Sequence, residues 1–147
     1  GLIRKLYAES VMKKEKAEQL IGILTPLPRT PLMTGYLGAV NMVMAKHAFN
    51  PVKKLSYFRA GRDYLETSIK KSPEDTELRF LRLAIQVSAP SFLGYDSERP
   101  SDHHFLINSL QSGVIRDKQL EHSIVKFLLL QDCTTEERIM LNKIYKN

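Results

Sequence analysis

Apolar residues return at helical spacing along nearly the whole chain. Leu2, Leu6, Ala17, Leu20, Ile21 and Leu24 mark a first helix or a broken pair, with the charged run Lys13 to Lys16 on the wet side. The segment TPLPRTP, Thr25 to Pro31, ends it, because proline lacks the N–H that a continuing helix needs. Thr30-Pro31, Asn50-Pro51 and Ser72-Pro73 then each place a capping side chain before a proline suited to the first helical position. These signals predict consecutive antiparallel helices starting at Pro31, Pro51 and Pro73.

The run ELRFLRLAIQVS after Ser72 is apolar on most sides and interrupted chiefly by Arg79, Arg82 and Gln86, which share a narrow face. Such a helix belongs in the middle of a bundle. Gly35, Gly38 and Ala39 offer small surfaces for close helix approach, a better reading than a GxxG nucleic-acid loop, which needs a mixed α/β setting. After Ala89 the pattern breaks into SFLGYDSERPSD, a loop whose Phe92, Leu93 and Tyr95 are expected to tuck inward. Three shorter helices follow. One runs from about Asp102 to Gln111 and stops near Gly113; one is capped by Asp117 and buries Leu120, Ile124, Phe127 and Leu128. The last starts at a Thr134 capping box and buries Ile139, Leu141 and Ile144. No strand pair is legible. The expected fold is a single all-α domain over 1–147, with about seven helices in an antiparallel, tetratricopeptide-like array or bundle.

Length agrees, since 147 residues suffice for one domain with a real core. Lone Cys133 excludes an internal disulfide and a multi-cysteine zinc site. The longest apolar runs, such as Phe127 to Leu130, are far too short to cross a bilayer. The opening GLIRKLY has no signal-peptide pattern, so the expectation is that any targeting segment is absent or already removed. Charge is uneven. Residues 1–71 hold 13 Lys/Arg against 5 Asp/Glu, and residues 72–147 hold 9 against 11. That asymmetry suits an acidic partner, an anionic surface, or the two halves meeting.

Two resemblances add to this. Gly61 and Ser68 with Leu65 between them, then Pro73 in the turn, resemble the second helix of a tetratricopeptide-like repeat and its end, over about residues 61–84. In the next helix Leu83-Ala84 falls one residue later than that family's Leu-Gly pair, and Arg79 stands where a large aromatic is usual. The blocks MAKHAFNPVKKLSYF and ELRFLRLAIQVSAPSFLGY resemble an uncharacterised group of bacterial proteins often made with export signals. That resemblance carries no activity and implies an exported protein, periplasmic or in the envelope, against the plain reading of a cytoplasmic helical domain.

The most chemical-looking stretch is GYDSERPSDHHFLINSL, Gly94 to Leu110. On a helix, ligands for one ion lie at i and i+3 or i+4, whereas His103 and His104 point about 100° apart. The positions four residues on are Ile107 and Asn108, which are poor co-ligands. Ser101 or Asp102 fits a helix cap, so the expectation is no metal and no cofactor. There is no G-x-S-x-G elbow, phosphate loop or dinucleotide fingerprint. In the helix after Pro51, Arg59 with Asp63, Arg62 with Glu66, and Glu66 with Lys70 form a self-neutralised stripe that argues against nucleic acid.

One place breaks a local rule. Lys53 and Lys54 occupy the first turn of their helix, where the helix end disfavours cations, and Lys46 and His47 lie just before the turn. Either they extend into water as ordinary solvated charges, or Lys46, His47, Lys53 and Lys54 make a corner for phosphate, sulfate or an acidic partner segment. The sequence thus points to a non-catalytic binding or scaffold domain recognising a protein partner or anionic ligand. The alternative is a small helical enzyme with a scattered active site.

Overall fold

The computed structural model describes the whole chain, Gly1–Asn147, and it is all helical. Eight α-helices appear rather than seven: α1 (Leu2–Ser10), α2 (Lys14–Leu24), α3 (Pro31–His47), α4 (Pro51–Lys71), α5 (Thr76–Ser88), α6 (Arg99–Gln111), α7 (Lys118–Leu128) and α8 (Thr135–Lys146). A single 3-10 turn occupies Ser91–Leu93. The extra helix is the broken pair that the sequence left open at its start: the break falls between α1 and α2, where Lys13 takes extended dihedrals (φ −128°, ψ 111°). The chain groups into two compact units, Gly1–Leu81 and Arg82–Asn147, divided within α5.

In the first unit, Leu6, Ala17, Leu20, Leu24, Leu37, Val40, Leu65 and Leu78 form the core. The Thr30 hydroxyl accepts from Met33 N, and the Asn50 amide oxygen accepts from Val52 N and Lys53 N, so the capping expected at α3 and α4 is present. At the third signal the cap differs. Asp75, not Ser72, accepts from Glu77 N (2.9 Å) and Leu78 N (3.1 Å), while Ser72 closes α4 and Pro73 sits in the turn.

The α3–α4 contact is made by glycines. A Cβ on Gly38 would lie 2.8 Å from both Gly61 O and Leu65 N, and one on Gly35 would run into Leu78. Gly35 sits by Ser68, Gly38 by Leu65 and Met42 by Gly61, so the two helices run in opposite directions. Beside them Arg4 grips buried Glu77 with two bonds of 2.7 and 2.8 Å, and the Tyr36 hydroxyl donates to the same carboxylate. Burial first, and the Glu77 carboxylate second, hold the Tyr36 hydroxyl well above the usual phenol range. Tyr7 meets the Tyr36 ring edge-on at 5.8 Å, and burial pushes its hydroxyl up to about 12.

In the second unit, Leu106, Leu110, Leu120, Ile124, Val125, Leu128 and Leu141 are the core. Asp117 caps α7, and Thr134 with Glu137 makes the reciprocal capping box of α8. Four expectations are corrected. The helix expected from about Asp102 starts at Arg99, because Pro100 suits a first turn. Asp102 is therefore no cap; fully buried, it takes a two-pronged grip from Arg82 (2.7 and 2.8 Å) and a bond from Gln86 Nε2 (2.9 Å). Phe92 is 85% exposed although Tyr95 is buried, and Ile139 is 54% exposed although Leu141 beside it is buried. Gln86 Oε1 also accepts from Glu98 N (3.0 Å), which fastens the loop before α6. No buried side-chain nitrogen or oxygen is left unpaired, as low-dielectric surroundings demand.

Candidate anion-binding site

The corner singled out in the sequence lies where α3 ends and α4 begins. The Lys46-His47 pair forms the last turn of α3, where cations offset the negative helix end, and Asn50 opens α4. The structure divides the four residues. His47 Nε2 lies 2.8 Å from Ser10 O at the end of α1. A carbonyl oxygen only accepts, so Nε2 carries the hydrogen and the ring ties α3 to α1. Lys54 Nζ reaches back to Ala45 O (3.1 Å) and Lys46 O (3.3 Å), neutralising the carbonyl end of α3. Lys46 is exposed.

His47 and Lys53 share a surface pocket of about 250 Å³ with Lys14, the first residue of α2. Met44 and Tyr57 supply apolar and aromatic lining, and Phe49 stands on it 98% exposed. The pocket lining holds no carboxylate and no serine, threonine or cysteine. Its only charged side chains of fixed sign are the Lys14 and Lys53 ammonium groups, so it can attract an anion.

The backbone at α4 contributes little to anion capture. Pro51 has no N–H, Val52 N and Lys53 N are taken by the Asn50 side chain (2.8 and 3.3 Å), and Lys54 N bonds Asn50 O (2.9 Å). By contrast α2, which Lys14 begins, has no side-chain N-cap. Attraction at the pocket thus comes from the Lys14 and Lys53 ammonium groups, because Glu15 in the first turn of α2 offsets the positive end of that helix.

Sequence reasoning missed Lys14 and Phe49. The Lys13–Lys16 run reads as a wet face, and only tertiary packing of the α1–α2 turn against α3 gives Lys14 a role. Phe49 did leave a signal. It precedes the N-cap of α4, where an apolar residue normally packs on one at the fourth helical position, and that position is Lys54.

Of the adjacent histidines, His104 is exposed and His103 is half-buried, with its Nε2 3.3 Å from Glu137 Oε1 on α8. In the α4 stripe, Arg62 approaches Asp63 (3.6 Å) and lies over the Phe58 ring at 5.7 Å. No helix is long and apolar enough to cross a membrane. No protein-family model, curated protein or solved structure matches the chain.

Proposed function

We propose that this chain is a non-catalytic binding domain that recognises a partner presenting an anionic group beside an apolar or aromatic one. The observation that carries the reading is the pocket that sets Lys14 and Lys53 around Met44 and Tyr57, with Phe49 in open water. A phenylalanine side chain gains roughly 1.5–3 kcal/mol on full burial. Covering Phe49 is thus worth as much to a partner as a good charge contact, and the two lysines add direction and encounter rate. Apolar Val52, 77% exposed, lies one residue from Lys53 and extends the same mixed character.

The scaffold we propose for this surface is a tetratricopeptide-like antiparallel array. Support comes from the opposed α3–α4 pair, and from small, buried Gly61 and Ser68 flanking buried Leu65 on α4.

Amide chemical-shift titration with phenyl phosphate and with inorganic phosphate tests the binding reading. Phenyl phosphate should shift residues 14, 44–50, 52, 53 and 57 at lower concentration than inorganic phosphate does, and both responses should weaken with salt, whose screening length is about 10 Å at 0.1 M. Shifts scattered over the basic residues of 1–71, with no preference for the aromatic probe, would overturn it.

A further inference from the structure

A separate cluster lies in the Arg82–Asn147 unit and uses none of the pocket residues. His103 on α6, Cys133 in the turn before α8, and Glu137 in the first turn of α8 bring ring nitrogen, thiol sulfur and carboxylate oxygen within 4.8 Å of one another. All three are half-buried. Cys133 is the chain's single cysteine, so no internal disulfide competes for it.

The nitrogen–oxygen distance fits a shared metal ion. His103 Nε2 and Glu137 Oε1 are 3.3 Å apart. A charge-assisted N–H···O⁻ bond is usually shorter, about 2.7–2.9 Å. Two donors each about 2.05 Å from a tetrahedral zinc ion are themselves about 3.3 Å apart, and a thiolate about 2.3 Å from it lies about 3.6 Å from either. Seating the sulfur therefore takes movement on the order of 1 Å, within the reach of side-chain rotation.

The local structure holds the ligands ready. The α8 capping box fixes Glu137, whose Oε1 accepts from Thr134 N at 3.0 Å. That backbone bond, ahead of His103, also keeps the Glu137 carboxyl below its usual range and so anionic. The Cys133 thiol now donates weakly to Leu128 O at 3.1 Å. Burial holds the thiol up, with Arg138 lowering it and Glu137 and Asp132 raising it. A dication beside it reverses that balance.

We propose that His103, Cys133 and Glu137 bind a zinc-class divalent cation, with a fourth position left to water. Thiolate, imidazole and carboxylate together select zinc or cobalt over magnesium or calcium. Binding releases the thiol proton to solvent and shifts His103 to the tautomer with Nδ1–H, with no change of oxidation state. The ion would join α6 to the start of α8. Helical i+3/i+4 spacing around His103 does not reveal this set, because both co-ligands come from the far side of α7 in sequence.

Cobalt(II) titration of tag-free, metal-stripped protein tests the site, with chelator competition giving the zinc affinity. The expected result is a thiolate-to-cobalt charge-transfer band that saturates at one equivalent and is absent in Cys133→Ser. His103→Ala and Glu137→Gln should each weaken binding by more than about tenfold, the low end for loss of even a supporting partner. Glutamine preserves the capping box, so Glu137→Gln should keep its helicity by circular dichroism. His104→Ala should bind as the wild type does. No band, a band retained in Cys133→Ser, or equal losses in His103→Ala and His104→Ala would each overturn the proposal and leave the 3.3 Å contact as a hydrogen bond only.

Discussion

Replacing Gly38 by alanine should loosen the molecule, although alanine is the better helix former. In the helical state alanine gains about 0.5–1 kcal/mol over glycine, mostly by restricting the unfolded chain. At Gly38 the new Cβ would sit 2.8 Å from Gly61 O, 2.8 Å from Leu65 N and 3.1 Å from Leu65 Cβ. Two of these are backbone atoms of α4, so no side-chain rotation relieves them and the helices must separate. Overpacking of this kind costs about 1–3 kcal/mol, and contact with backbone places Gly38 toward the upper end. The net expectation for Gly38→Ala is a loss of about 1–2 kcal/mol. Gly22, in α2, is the internal control: it is exposed, and a Cβ there meets nothing within 4 Å. Gly22→Ala should therefore gain about 0.5–1 kcal/mol. Urea unfolding followed by circular dichroism resolves changes of opposite sign. Gly38→Ala as stable as the wild type, or Gly22→Ala destabilised alike, would refute the glycine-contact reasoning.

Two further predictions concern polar groups held within the fold. Arg82→Ala leaves the Asp102 carboxylate buried without its main partner and should cost about 3–5 kcal/mol in urea unfolding, whereas Arg82→Met with Asp102→Leu should cost much less, because no charge is stranded. Equal losses in the two would contradict the pairing. Tyr7, with its hydroxyl pushed up to about 12 from 10.0, is neutral in the folded chain where the unfolded chain ionises. Its contribution is therefore fully present below pH 10.0 and lost as pH rises toward about 12, and Tyr7→Phe should make alkaline unfolding shallower across that window. An unchanged alkaline profile in Tyr7→Phe would refute it.

What could be read from the sequence was what local chemistry decides. Thr30, Asn50, Asp117 and Thr134 cap their helices because a side-chain oxygen needs to reach only two or three residues ahead. Where two local signals overlapped, at Ser72-Pro73-Glu74-Asp75, the proline marked the turn and the cap moved to Asp75. Spacing put Arg82 and Gln86 on one face, but periodicity does not say that Asp102 would turn that face inward. Phe92 and Ile139 were misplaced for the opposite reason: apolar character states a preference for burial, not that room exists. At the candidate site, two lysines in a first turn were a local anomaly legible in the sequence. The assignment of Lys54 to the carbonyls of α3, and the arrival of Lys14 from α2, depend on helix packing that no local pattern encodes.

The binding account is tested most directly by calorimetric titration of phenyl phosphate, at low and moderate salt, into the wild type, a Lys14→Ala, Lys53→Ala double variant, and Lys54→Ala. Lys14 and Lys53 line the pocket, whereas Lys54 is engaged with Ala45 O and Lys46 O. The account predicts saturable binding to the wild type that weakens with salt, near-complete loss in the double variant, and retention in Lys54→Ala at some cost in stability. Equal binding by the wild type and the double variant would contradict it and return those lysines to the role of ordinary solvated charges.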